Sequence, residues 1–137
     1  TRSLRIVDAV IYAYPKRNAL DDLDKVLGPW VKGKTVVADT EFDAEERFHQ
    51  KVLALGGKGV APLRHKNVPV HRTNGSRRKQ LRRKWPGRSY HRRPLTETAN
   101  SMLKRGMGDT LRGRTVWQQA RHFYTKCFTH NIILRCN

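Results

Sequence analysis

Lys34-Thr-Val-Val-Ala-Asp39 is the stretch that decides the fold class. Its run of small and β-branched residues is too short for a helix and reads as a buried strand over residues 34–38, closing on the Asp39 carboxylate. Upstream, Asn18 caps a helix through Leu27 that Gly28-Pro29 ends, with Asp21, Asp22 and Asp24 in the first turns where the helix dipole favours them. Earlier still, residues 4–14 are β-branched and apolar on both alternating faces and read as another buried strand, broken by Pro15-Lys-Arg-Asn18. Downstream, Asp43 caps a helix of roughly a dozen residues with Glu45 and Glu46 early and Gly56-Gly57 after its end, and residues 59–63 form a last short strand. Strand, helix, strand, helix, strand predicts an α/β sheet with parallel neighbours.

A chain of 137 residues buries one modest core, so a single domain or part of one is expected. The net charge of +18 is unevenly placed. Residues 1–57 hold nine acids and nine Lys/Arg, whereas residues 58–137 hold twenty Lys/Arg against Glu97 and Asp109. Such asymmetry calls for a locally acidic partner, and nucleic acid fits it through counterion release along a phosphate backbone. A membrane surface fits poorly, since the basic stretch has few large apolar residues to insert. No run approaches the roughly 20 apolar residues of a membrane span, and no secretory leader opens the chain. Thr1 leads almost directly into the first strand pattern, as the middle of a domain would. Cys127 and Cys136 form no CxxC pair and suit a reducing interior. Together with His122 and His130 their spacing matches no zinc pattern.

The surplus charge is concentrated. Residues 64–93 carry twelve Lys/Arg and no acid. Residues 64–89 lack hydrophobic periodicity, turn at Asn74-Gly75-Ser76, and read as a basic loop or insertion loosely ordered without its ligand. Its Arg77, Arg78, Lys79, Arg82, Arg83, Lys84 and Arg88 are candidate DNA contacts, although a charge run is also the ordinary composition of a solvated face. His65, His71, His91 and Trp85 are candidates to stack on bases, whereas Trp30 and Trp117 read as core. Pro94 opens a helix to about Arg105, ahead of Gly106, with Leu95, Ala99 and Met102 on its packing face, and residues 115–128 read as a final amphipathic helix.

The basic run leads into Tyr90-His-Arg-Arg93-Pro-Leu-Thr-Glu97, with Lys104 beyond. At about 100° per residue, Tyr90, Arg93, Glu97 and Lys104 fall within roughly 60° of one another on a helical wheel. This sets one carboxylate among a phenol, a guanidinium and an ammonium, a combination suited to phosphate chemistry. Asp39 stands at a strand's C-terminal end, where open α/β sheets place their sites. A strand-end carboxylate and a helix carboxylate are able to share divalent cations that activate a water and stabilise a leaving oxygen. The plainer readings are that Asp39 bonds loop amides and that Glu97 is an i,i+4 partner of Arg93.

Tyr90-x2-Arg93-x3-Glu97-x6-Lys104 resembles the YREK signature of DDE transposases of bacterial and archaeal insertion sequences, and Val36-Val-Ala-Asp39-Thr-Glu-Phe42-Asp43 resembles the segment around their second catalytic aspartate. Arg112-x-Arg114 and His130-Asn131-Ile132 are similar to the C-terminal end of that family, so the likeness runs from residue 4 to Asn131. The resemblance implies an RNase H-like fold, here the C-terminal portion of one catalytic domain. It implies Asp39 and Glu97 as the second Asp and the Glu of the triad, holding Mg²⁺ with Mn²⁺ as substitute, and Tyr90, Arg93 and Lys104 on the transposon-end backbone. The implied activity is strand hydrolysis at the element's end, followed by attack of the freed 3′-hydroxyl on target DNA. A homodimer in a synaptic complex, in a prokaryotic cytoplasm and nucleoid-associated, is implied with it.

Two departures stand out. Glu41 occupies a position where the family carries Gly or Ala, and is expected to face solvent. The family's first Asp lies on a strand upstream of the one matched to residues 4–14, and Asp8 is on the wrong strand to replace it. With two of three carboxylates, weak metal binding and little cleavage are expected. The alternatives are a basic nucleic-acid-binding protein without catalysis, or an inactive transposase remnant.

Overall fold

A computed structural model describes residues 4–11, 18–65 and 67–136. They fall into two compact units, one within 17–93 and the other drawn from 1–16 and 94–137.

In the first unit the helix expected after Asn18 is a 3-10 turn, Ala19–Asp22, running into α1, Leu23–Val26. The Asn18 side chain accepts from the Leu20 N–H at 3.1 Å, and Leu27 is the closing cap. Pro29–Val31 then turns once and drops Val31 into the core, which leaves Trp30 39% exposed and corrects its reading as core. Strand β1, Thr35–Val37, pairs in parallel with β2, Lys58–Val60, in the register Thr35↔Lys58, Val36↔Gly59, Val37↔Val60. Between them runs a wide π-helical segment, Glu45–Gln50, that tightens into α2, Lys51–Ala54. Gly56, at φ 74°, adopts the left-handed conformation that ends this helix and turns the chain into β2. Leu20, Leu23, Val31, Phe48, Val52 and Ala61 form the core, with Val36, Ala38 and Phe42 packed against it. Burying each of the larger side chains contributes about 1.5–3 kcal/mol. The α/β expectation thus holds as a small parallel sheet covered by helices.

The cap ahead of the π segment is Ala44, not Asp43. The Asp43 side chain is fully buried and turned to another task described below. A larger departure concerns residues 64–89, expected as a loosely ordered loop. They hold a 3-10 turn, Val70–Arg72, and two helices, α3 at Ser76–Arg83 and α4 at Gly87–Tyr90.

In the second unit α5, Pro94–Met107, begins at the predicted proline but continues through Gly106. Leu95, Ala99 and Met102 are half-buried as expected, and Leu103 is the buried centre of that face. Helix α6, Val116–Cys136, runs eight residues beyond the expected end at 128. Trp117 on its first turn is 76% exposed, which corrects its reading as core. Residues 4–11 join no ladder, and the rest of the expected strand, 12–14, lies outside the described residues. Side chains of α6 take the place of a sheet neighbour. Asn131 accepts from the Ile6 N–H at 2.9 Å and donates to the Ile6 carbonyl at 2.7 Å, the His130 Nε2–H donates to the Leu4 carbonyl at 3.2 Å, and the Tyr124 hydroxyl donates to the Ala9 carbonyl at 2.9 Å. Lys126 is buried and donates to the carbonyls of Gly108 and Thr110 at 2.9 and 2.7 Å, tying α6 to the turn that leaves α5.

Candidate nucleic-acid interface

Asp39 lies just past β1, where the parallel strand delivers it to the C-terminal end of the sheet. Its side chain is half exposed, at 51%. One carboxylate oxygen accepts from the Thr40 N–H at 2.6 Å and starts the 3-10 turn Thr40–Phe42. The other accepts from the Arg93 guanidinium at 2.9 Å. Fifty-four positions separate the two residues in sequence, and the fold brings them into an ion pair. Glu41 faces solvent as expected, and its carbonyl accepts from Arg64 at 3.0 Å.

Tyr90 does not share a continuous helix with Glu97. Helix α4 stops at Tyr90, turn residues 91–93 follow, and α5 starts at Pro94, so the helical-wheel alignment of all four signature residues is broken between Tyr90 and Pro94. Proline favours this break, because it restricts the residue before it to extended geometry and lacks an N–H. The Tyr90 ring packs on Trp85 with centroids 5.2 Å apart and the planes tilted by 59°, so the indole expected to stack on bases already has an aromatic neighbour. Glu97 and Lys104 stay on one exposed face of α5, in the second unit.

The cations of α3 divide into two groups. Arg78 forks onto Asp43 at 2.7 and 2.9 Å, and the same carboxylate accepts the Arg64 N–H at 2.9 Å. Arg77 donates to the Gly59 carbonyl of β2 at 3.2 and 3.3 Å and to Gln80 at 3.0 Å. Arg82 donates to the His65 carbonyl. These three therefore fasten the helix to its own unit. Among the described residues Lys79, Arg83 and Lys84 do not fasten the helix in this way; Arg83 and Lys84 are exposed, and Lys79 is half-buried.

Glu45 caps helix α3. The carboxylate accepts the Arg77 N–H at 2.9 Å, the Arg78 N–H at 3.0 Å and the Ser76 hydroxyl at 3.3 Å, capping the helix N-terminus from a distant segment. Gly75 makes room for it. At φ 89° a side chain there is strained, and a Cβ would stand 2.3 Å from the Glu45 carboxylate. Burial raises the Glu45 carboxyl, but the two backbone amides, Gln50 and the nearby His49 outweigh it, so Glu45 titrates below the ordinary range. Burial is also the main influence on His49, whose ring is enclosed beside Phe48; it holds the imidazole below its ordinary value against the opposing pull of Glu45 and Asp43.

Among the described residues no group of three or more His, Cys, Asp or Glu side chains is placed to hold one metal ion. In the C-terminal quartet, the Arg112 N–H donates to His122 Nδ1 at 2.8 Å, and Cys127 is a buried thiol whose titration burial pushes up. Asp8 is exposed, lies outside any strand, and accepts its neighbour Ala9's N–H at 2.7 Å. Among the described residues no helix is long and apolar enough to cross a membrane. Sequence reading passed over Glu45 as a cap, and over Lys34 and Arg92, which meet Arg88 at one cleft. Nothing local in the sequence marks the Glu45 cap or the approach of Lys34 to Arg88 and Arg92, since each joins segments far apart in the chain. No family model matches this chain, and no curated protein or solved structure does either.

Proposed function

We propose that this chain acts on DNA as part of a DDE-type transposase catalytic domain of RNase H-like fold. The observation carrying this reading is the Arg93–Asp39 pair, which joins the strand-end aspartate to the signature arginine at 2.9 Å. In this reading the acceptor of Arg93 changes when DNA arrives: its guanidinium turns to a backbone phosphate and uncovers a carboxylate oxygen of Asp39. Tyr90 and Lys104 are assigned to the DNA backbone as well. The reading assigns Asp39 and Glu97 as ligands of Mg²⁺, or Mn²⁺ in its place, because each is a hard carboxylate and the ion keeps several waters and needs few protein ligands. When bound, such an ion would supply activation of the attacking water or 3′-hydroxyl and stabilisation of the leaving oxygen. The partners are transposon ends and target DNA, within a homodimeric synaptic complex at the nucleoid.

A second reading, a basic nucleic-acid-binding module without catalysis, draws on the fact that both Asp39 oxygens already have protein partners. Paramagnetic Mn²⁺ titration followed by NMR separates the two. The transposase reading expects early broadening of amides around Asp39 and Glu97, lost in Asp39→Asn and in Glu97→Gln, with DNA binding retained. Uniform broadening unchanged in both variants, together with tighter DNA binding by Glu97→Ala, would leave only the binding module.

A further inference from the structure

Beside β1 lies a cleft of about 560 Å³ lined by Lys34, Thr35, Val37, Arg88, Ser89 and Arg92. All six belong to the first unit. Three are cations and none is an acid, and the side chains of Lys34, Arg88 and Arg92 are exposed. Among the described residues none of these three cations forms an ion pair, whereas Arg47, Lys51, Arg78 and Arg93 elsewhere in this unit each find a carboxylate. Gathering like charges without an acid costs folding energy that an anionic ligand relieves.

The backbone contributes as well. The Lys34 carbonyl accepts the Lys58 N–H at 2.9 Å, and the Ala38 N–H donates to the Val60 carbonyl at 2.9 Å. Alternation along a strand then turns the N–H and C=O groups of Thr35 and Val37 away from β2, to the edge of β1 on which the cleft residues Thr35 and Val37 lie. Among the described residues β1 has no second strand neighbour. Peptide N–H groups, two hydroxyls and three cations form the donor set that seats a tetrahedral oxyanion, with arginine forks matching two of its oxygens.

We infer that this cleft is an oxyanion site that seats a backbone phosphate of a nucleic-acid strand, apart from the Asp39 carboxylate and from the outward cations of α3. The inference rests on the DNA reading only for the source of the phosphate. Two measurements on the full chain test it, comparing wild type with Arg88→Gln/Arg92→Gln and with Lys79→Gln/Lys84→Gln as a charge-matched control. In the first, inorganic phosphate is titrated while the amide shifts of Thr35, Val37 and Ser89 are followed. The expected result is saturable shifts in wild type and control that vanish in the cleft variant. In the second, fluorescence anisotropy of a labelled DNA duplex is measured across a salt series. The cleft variant should flatten the dependence of log K on log salt by about 2, near 0.9 for each phosphate lost. Phosphate shifts without DNA binding keep the oxyanion site and overturn the nucleic-acid source. DNA binding whose salt slope and phosphate shifts are the same in the cleft variant as in wild type overturns the site and leaves the DNA reading standing. An absence of both responses overturns the two together.

Discussion

Replacing Glu45 by Ala withdraws the acceptor for the Arg77 and Arg78 amides and for the Ser76 hydroxyl, and should cost about 1–2 kcal/mol, the range of a lost helix cap. Gly75→Ala should show the same loss of helix by circular dichroism, because its new methyl displaces that carboxylate. Urea unfolding checks both, and midpoints equal to wild type would refute the cap. Acid should act on the same neighbourhood. Glu45 and His49 both release protons more readily in the folded protein than in the unfolded chain, so unfolding takes protons up. Their stabilisation is complete above the unfolded values and is lost as pH falls through the folded ones. The His49 contribution should therefore begin to fade below pH about 6.5 and that of Glu45 below about 4.3. Unfolding midpoints measured from pH 7.5 to 3.5 should fall in that order, with His49→Leu flattening the upper part alone.

At the scale of elements, helix α3 was the hardest to foresee. Ser76-Arg-Arg-Lys-Gln-Leu-Arg-Arg83 offers one apolar residue, Leu81, and therefore no periodicity to read. Its stability comes from Glu45 and Asp43, over thirty residues upstream, and a local pattern carries no trace of such partners. Strand β1 was legible from its β-branched run, and the site of Asp39 followed from it, but its expected burial is not found: Thr35 is exposed and Val36 and Val37 are half-buried, because the sheet has only two strands among the described residues. Residues 4–11 were misread for the converse reason. Their β-branched composition favours extended backbone, but the partner supplying their hydrogen bonds is a helix, through Asn131 and His130, and composition cannot name the partner. The α3 finding is testable without ligand. Hydrogen exchange should show protected amides over residues 79–83 in the absence of DNA, whereas exchange at the unfolded rate would restore the loose loop.

Across the whole molecule, net charge overstates the surface open to a polyanion. Of the twelve Lys/Arg in residues 64–93, Arg77, Arg78 and Arg82 point into protein contacts. The salt dependence of duplex binding should consequently report clearly fewer phosphates than twelve, measured as the slope of log K against log salt. A slope matching every cation of the run would mean that these internal pairs open on binding. The unit boundary also falls between Arg93 and Pro94, inside the signature itself, so its residues belong to two compact units.

The division of labour within α3 has an evolutionary side. Arg77, Arg78 and Arg82 answer to the fold, while Arg83 and Lys84 answer only to whatever lies outside. Mutation is thus free to retune the outward charges with little penalty in stability, and selection for a new partner can proceed on one helix face while the opposite face keeps the helix in existence.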